Sequence, residues 1–231
     1  MRTIVLLALA GCGSHGNPVG DAFGGSPIPP TITISGTATM RAAGGAQPVA
    51  GLAVSAYVYP DTLAATATTD STGAYHLVVP THGEAVDATV ETTAGTYVAT
   101  YRYLPPIASD RTGAALDMMT PAAYAAAYTT IGVTQQPGSA MLELIADDIY
   151  GGPVMGATFT ALTGTVAYTA NGVIDRTATR TDAEGVGFVL DATSDNQVQA
   201  TSSSVLYPEQ SVTGVAGALA MSPIYAELGG D

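Results

Sequence analysis

From residue 31 onward the chain is a succession of short runs in which apolar or β-branched residues alternate with small polar ones. Gly, Pro or Asp ends many of them. Residues 31–40 (TITISGTATM), 52–59 (LAVSAYVY), 64–69 and 74–79 (AYHLVV) have this form, and two more runs lie near 86–93 and 96–103. A second series follows at 140–146 (AMLELIA), 157–162, 164–170, 173–181, 186–190, 197–201 and 215–226. Strand-length runs at this spacing, separated by turn residues, predict β-sandwiches. The apolar content supports strands: hydrophobic residues make up 47% of the chain, but there is no Trp and only three Phe. Such a core is built from Ala, Val and Tyr. The fold class expected is therefore all-β, with two tandem Ig-like or transthyretin-like sandwich modules.

The segment between the two series, 105–138, reads differently. Thr120-Pro121 followed by AAYAAAYTT has an N-cap residue and Pro at the first helical position, and Gly132 supplies a stop. A short helix is expected there, with Tyr124 and Tyr128 on one face packing on a module. Pro137-Gly138 would end the linker. The modules then span 31–104 and 139–231.

The two series look like diverged copies of one unit. Pro48-Val49-Ala50-Gly51 matches Pro153-Val154-Met155-Gly156, and Thr69-Asp70-Ser71-Thr72-Gly73 matches Thr181-Asp182-Ala183-Glu184-Gly185. The stretch between the motifs is longer in the second copy, which places a longer hairpin around Asn171-Gly172. In an Asp-x-x-Gly turn the Asp carboxylate accepts from backbone N–H groups ahead of it, and Gly takes the positive φ. The order of strand, "PVAG", variable strands, "TDSTGAY" and closing strand resembles the carboxypeptidase regulatory-like domain. That resemblance implies a transthyretin-like sandwich with no catalytic residues to carry over. The first copy matches over about 70 residues. The second is looser, since Gly187 stands where the aromatic would be and Phe188 comes one place later.

The first thirty residues have another logic. Residues 1–12 read MRTIVLLALAGC: Arg2 gives a positive start, Ile4 to Ala10 an apolar run, and small residues precede Cys12. This is the anatomy of a secretion signal, too short for the roughly 20 apolar residues of a bilayer span. Cys12 is the single cysteine of the chain, so an internal disulfide is excluded. Leu9, Ala10, Gly11 and Cys12 resemble the lipobox of bacterial lipoproteins. The resemblance implies cleavage after Gly11 and acylation of Cys12, so that residues 1–11 form the signal peptide. Two or more acyl chains on one residue anchor stably, where one alone binds only marginally. Gly13, rather than the Asp that marks inner-membrane retention in that family, directs the expected location to the outer membrane of the bacterial cell envelope. Residues 12–30 would then be the lipidated Cys and a Gly/Pro-rich tether.

Charge narrows the partners. Only 11% of residues are charged, there is no Lys, and the net charge is −13. Such a surface repels nucleic acid and anionic lipid heads, so no nucleic acid is expected as a partner. The scattered acids serve solubility first.

No catalytic or metal-binding residues are expected. G-x-S-x-G, a P-loop and CxxC are all missing from the sequence. Gly11, Gly13 and Gly16 match GxGxxG spacing, but a signal precedes them and Pro18 follows. His76 and His82 lack the further ligands a zinc site needs, and no cofactor is expected. If an ion bound, it would be Ca²⁺, since Asp147-Asp148, Asp182-Glu184 and Asp191-Asp195 put oxygen ligands near loops; turn formation accounts for the same residues. The expected function is therefore a non-enzymatic, membrane-anchored surface lipoprotein whose modules act as spacer or bind an envelope protein or glycan. The alternative is a carbohydrate-binding accessory, for which Tyr57, Tyr59, Tyr101 and Tyr103 are the stacking candidates: each pair alternates along a strand and so shares a face. An enzyme with an unrecognised site is the third class.

Overall fold

In the computed structural model, residues 27–41, 45–93 and 95–227 are described. The fold is all-β with one helix. The first module contributes β1 (Thr31–Met40), β2 (Gln47–Pro48), β3 (Ala53–Val58), β4 (Thr62–Thr68), β5 (Ala74–Pro80), β6 (Ala88–Thr92) and β7 (Thr100–Tyr103). The segment after it holds β8 (Leu116–Met118) and α1 (Pro121–Ile131). The second module contributes β9 (Ala140–Asp147), β10 (Thr158–Ala161), β11 (Thr165–Ala170), β12 (Val173–Asp175), β13 (Val186–Ala192), β14 (Asp195–Thr201), β15 (Gln210–Thr213) and β16 (Leu219–Tyr225).

The repeat seen in sequence is a repeat in hydrogen bonds. In the first copy the Thr69 hydroxyl donates to the Val49 carbonyl at 2.7 Å and accepts from the Leu52 N–H at 2.9 Å. In the second, Thr181 donates to the Val154 carbonyl at 2.8 Å and accepts from the Ala157 N–H at 2.9 Å. Both hydroxyls are buried. The Gly51 N–H reaches the Thr69 carbonyl, and the Gly156 N–H reaches the Thr181 carbonyl. The turn glycines match as well. Gly73 (φ 78°) accepts from the Ala38 N–H and Gly185 (φ 69°) from the Ala146 N–H. A Cβ on either would meet that strand's carbonyl oxygen within 3 Å. Each copy thus clips the Pro-x-x-Gly turn to the Asp-x-x-Gly turn across the end of its sandwich.

The modules are not two beads on a string. Strands β4, β3, β6 and β7 of the first and β16, β9, β13, β11 and β12 of the second form one nine-stranded sheet. The joint is a parallel pairing of β16 with β7, with Leu219, Ala220 and Met221 opposite Thr100, Tyr101 and Arg102. Each module closes its sandwich with its own smaller sheet. In the first, β1 pairs with β5, β2 and β8; in the second the order is β10-β14-β15.

The two small sheets lie on opposite faces of the shared one. Val54, Ala56 and Val90 point into the first core beneath β1 and β5. Register carries that face across the joint, because Val90 pairs with Arg102 and Arg102 with Met221. There Met141, Phe188, Leu190, Leu219 and Met221 pack under α1, with Tyr124, Ala127 and Tyr128. Leu142, Leu144, Val189, Ala220 and Ile224 point the other way and meet Phe159, Val198, Ala200 and Val212 of the second small sheet. The helix therefore does over the second module what a sheet does over the first.

The helix matches its sequence signals. The Thr120 hydroxyl accepts from the Ala123 N–H, and Gly132 ends the helix in the left-handed region. Tyr124 and Tyr128 are buried, with ring centroids 5.5 Å apart. Three strands were not expected from the sequence: β2, two residues at the Pro-x-x-Gly turn, β8, three residues inside the linker segment, and β15, four residues. The run at 173–181 is a strand only over Val173–Asp175; Asp175 then accepts from the Thr177 N–H and turns the chain.

Candidate functional site

Two places gather functional side chains: a charged seam between the modules and a tyrosine-lined cleft at the far end of the first module.

The seam is organised by Arg41, which leaves the end of β1. Its guanidinium grips Asp117 of β8 with Nε at 2.8 Å and Nη2 at 2.5 Å, and Nη2 also reaches Glu143 of β9 at 3.2 Å. Nη1 pairs with Glu184 in the second module's Asp-x-x-Gly turn. One cation thus ties four segments from both modules. Glu143 is completely buried. Burial first, and the neighbouring Asp117 second, raise its pKa well above the usual carboxylate range; Arg41 and Arg102 oppose this. Burial also works against ionised Asp117, but the hydrogen bond from Glu143 and the Arg41 contacts outweigh it and lower its pKa. Of the two carboxyls, Glu143 is the one whose surroundings favour the proton and Asp117 the one whose surroundings favour the charge. Arg41 itself is held charged: burial disfavours its charge, but Glu143, Asp117 and Glu184 more than offset that. Further along, Asp147 is pushed up to about 6 by burial, with Arg102 acting against the shift. A cleft of about 300 Å³ opens at this seam between Arg41, Arg102, Asp117 and Glu184. These residues neutralise each other, and their evident role is structural.

The cleft at the other end uses three of the four tyrosines expected from sequence. The open face of β3, β6 and β7 carries two cross-strand rows. Tyr57, Thr89 and Tyr103 form one, and Ser55, Glu91 and Tyr101 the other. All six side chains are partly exposed. Tyr57 is held by a hydrogen bond to Glu91, whose charge is the main cause raising the Tyr57 pKa. Tyr103 is pushed up to about 12, by burial first and then by Tyr101, Asp61 and Glu91. Tyr59 stands at the tip of the β3–β4 hairpin with 83% of its surface exposed. Its N–H donates to the Asp87 carbonyl. Tyr57, Tyr59 and Tyr103, with Asp61 and Asp87, line a cleft of about 280 Å³. Tyr101 lies on the same face but outside that lining. Asp61 has φ 100°, a conformation that costs a non-Gly residue of order 1–3 kcal/mol.

The remaining residues are placed as follows. Cys12 and the lipobox residues Leu9, Ala10 and Gly11 lie outside the described residues. His76 is exposed on β5 between buried Tyr75 and Leu77, and His82 sits in a turn. Of the six carboxylates considered for Ca²⁺, Glu184 pairs with Arg41 and three accept hydrogen bonds. Asp148 accepts from Tyr150 and Gly152, Asp182 from Thr169 and Glu184, and Asp191 from Gln136. Among the described residues no group of three or more His, Cys, Asp or Glu is placed to hold a metal. No described helix is long and apolar enough to cross a membrane.

No protein-family model and no curated protein matches this sequence. Solved structures give distant similarities. The shaft pilin SpaA of Lactobacillus rhamnosus GG is 14% identical, with 87% of this chain and 99% of that one covered and a TM-score of 0.31. GBS52, the minor pilin of Streptococcus agalactiae, is 13% identical, with 87% and 97% covered and a TM-score of 0.31. The Bacillus anthracis TIE protein is 12% identical with a TM-score of 0.28; the match covers 85% of this chain but 34% of that one. Likeness at this level carries no argument about function.

Sequence reasoning missed Arg41 and Glu143. Glu143 reads as one charged residue in the strand AMLELIA, and Arg41 as a loop residue. The available signal was scarcity: in a chain with six basic residues, each Arg near a module boundary is a candidate tie.

Proposed function

We propose that the chain is a non-enzymatic lipoprotein of the bacterial cell envelope. Cys12 holds it to the outer membrane, and the fused sandwich pair is a stiff spacer that presents a binding surface away from the lipid. The nine-stranded sheet is the observation that carries the spacer reading. A sheet continuous across both modules, with cores on opposite faces and Arg41 bridging the seam, resists hinge motion where a peptide linker would not. The lipobox residues Leu9-Ala10-Gly11-Cys12 support the anchor. The match of the Pro-x-x-Gly and Asp-x-x-Gly clips supports kinship with carboxypeptidase regulatory-like domains. Fractionation of cells producing the full chain tests the anchor. Wild type should enter the membrane fraction and incorporate labelled palmitate; Cys12→Ser should do neither. A Cys12→Ser protein that stays membrane-bound would refute the anchor.

A second reading, a carbohydrate-binding accessory lipoprotein, is favoured by one observation: Tyr57 and Tyr59 line an open cleft beside two carboxylates, with Tyr103, half-buried against the second core, at its wall. It is compatible with the first, since a spacer needs something to present.

A further inference from the structure

The cleft below Tyr59 continues on the other side of the hairpin. There Tyr59, Leu63, Thr81, His82, Glu84 and Asp87 line a second hollow of about 400 Å³. The two hollows share Val58, Tyr59 and Asp87. Tyr59 and Asp87 therefore stand between them as a common wall, and the two hollows flank the hairpin tip. Each hollow alone lies at or near the lower end of the range for small-molecule sites. A ligand that fills both must pass over this wall, so the groove over the tip suits a chain of more than one ring.

The lining is specific in what it includes and omits. Tyr57, Tyr59 and Tyr103 supply ring surface. Asp61, Glu84 and Asp87 supply acceptor oxygens and carry no resolved ion pair to a cation. None of Arg41, Arg102, Arg111, Arg176 and Arg180 borders either hollow, and the chain has no Lys. A phosphorylated, sulfated or carboxylated ligand would meet three carboxylates, Asp61, Glu84 and Asp87, with no Arg or Lys and a single imidazole, His82, beside them. A ligand with apolar C–H faces and donor hydroxyls meets what it needs: ring faces for the former, carboxylates for the latter. The Tyr59 ring is open to a partner at the wall of both hollows, whereas the equally exposed Tyr150 borders neither. The 83% exposure of Tyr59 contrasts with the buried Tyr75, Tyr124 and Tyr128 of the same chain.

We infer that this groove binds a neutral oligosaccharide chain, with Tyr59 stacking at its centre, Tyr57 and Tyr103 on one side, and Asp61 and Asp87 accepting from sugar hydroxyls. Tyr101, outside the lining, is not a contact. The inference rests on the accessory reading and not on the anchor, so failure here leaves the Cys12 result untouched.

The test is native-gel affinity electrophoresis of the chain from residue 13 onward. The gels contain a neutral glucan, mannan or galactan, or polygalacturonate as the anionic counterpart, and a Lys-rich peptide is titrated separately. The expected result is retardation in at least one neutral polysaccharide and none in polygalacturonate. Tyr59→Ala should weaken that retardation about tenfold, the scale of one aromatic contact. Asp87→Asn should weaken it less, and Tyr150→Ala should not change it. Tyr150 is an equally exposed tyrosine in the second module, at 90%. Tyr59 and Tyr150 both lie outside the cores, so melting curves should coincide for these variants. The inference is overturned by no retardation in any neutral polysaccharide. It is overturned equally by retardation that Tyr59→Ala leaves intact, or by binding of the Lys-rich peptide alone.

Discussion

The two copies of the clip are built from the same bonds and put to different use. In the first module the turn Asp70-Ser71-Thr72-Gly73 closes on itself. The Thr72 hydroxyl and N–H both donate to the Asp70 carboxylate, and the turn faces solvent. In the second, the residue matching Thr72 is Glu184. Its N–H makes the same bond to Asp182, but its carboxylate leaves the turn and pairs with Arg41. The shared bonds define the sandwich, and the position free to differ joins the modules. The same contrast holds on a larger scale. Both halves of the long sheet need a cover over one face; the first takes a sheet there and the second takes α1. A repeated motif therefore fixes each copy's local architecture while leaving its faces to be covered by whatever the rest of the chain supplies.

The seam is most sensitive at Arg41. Arg41→Ala leaves Asp117 without its cation and the buried Glu143 carboxyl without its hydrogen-bond donor, and losing one partner of a buried ion pair costs about 3 kcal/mol or more. Urea denaturation at pH 7 should show a fall of that size. A change under 1 kcal/mol would mean the seam does not hold the modules.

The clips come next. Thr69→Val and Thr181→Val each remove one donor and one acceptor from a buried turn and strand a carbonyl, at about 2 kcal/mol apiece. Equal losses in urea midpoints would confirm that the copies are energetically alike. A loss confined to one would show that only one clip is structural.

Glu143→Gln should act through pH. The folded-state pKa of Glu143 is raised, so the stability it contributes is full below its usual value and is lost as pH rises through the elevated one. Asp147, raised to about 6, loses stability in the same direction from about pH 4 upward. Asp117 works oppositely, because its lowered pKa costs stability only toward acid. Glu143→Gln should therefore flatten the decline in urea midpoint as pH rises above the usual carboxylate range and leave the acid side unchanged. An unaltered alkaline slope would place the proton elsewhere.

The smallest effect sharpens the turn comparison. In double-mutant cycles with Arg41→Ala, Glu184→Ala should couple by roughly 0.5 kcal/mol, as a partly exposed ion pair does. Thr72→Ala should add without coupling. Equal coupling for both would erase the distinction drawn between the turns.

Much of this was legible in sequence because it is local. The clip residues, the alternating strands, the capped helix at Thr120-Pro121 and the aromatic pairs on β3 and β7 all announce themselves within a few residues. The joint between modules is not local: Leu219 must find Thr100, and no pattern near either marks the pairing. Strand β9 shows the cost. Met141, Leu142, Glu143 and Leu144 are all completely buried, since both faces of the shared sheet are covered there. Alternation, the signal of a half-exposed strand, therefore carries no information about Glu143. Strand β8 escaped notice because three residues held by pairing with β1 leave no periodicity. The cleft at Tyr59 was half legible: sequence offered four tyrosines, and the fold chose three and added Asp61 and Asp87.

The shared sheet makes the two sandwiches one body. Scanning calorimetry of the chain from residue 13 onward tests it directly. The shared sheet and the Arg41 seam predict a single transition whose calorimetric and van't Hoff enthalpies agree. Two resolved transitions, or a calorimetric enthalpy near twice the van't Hoff value, would show that the modules unfold independently and would contradict the account.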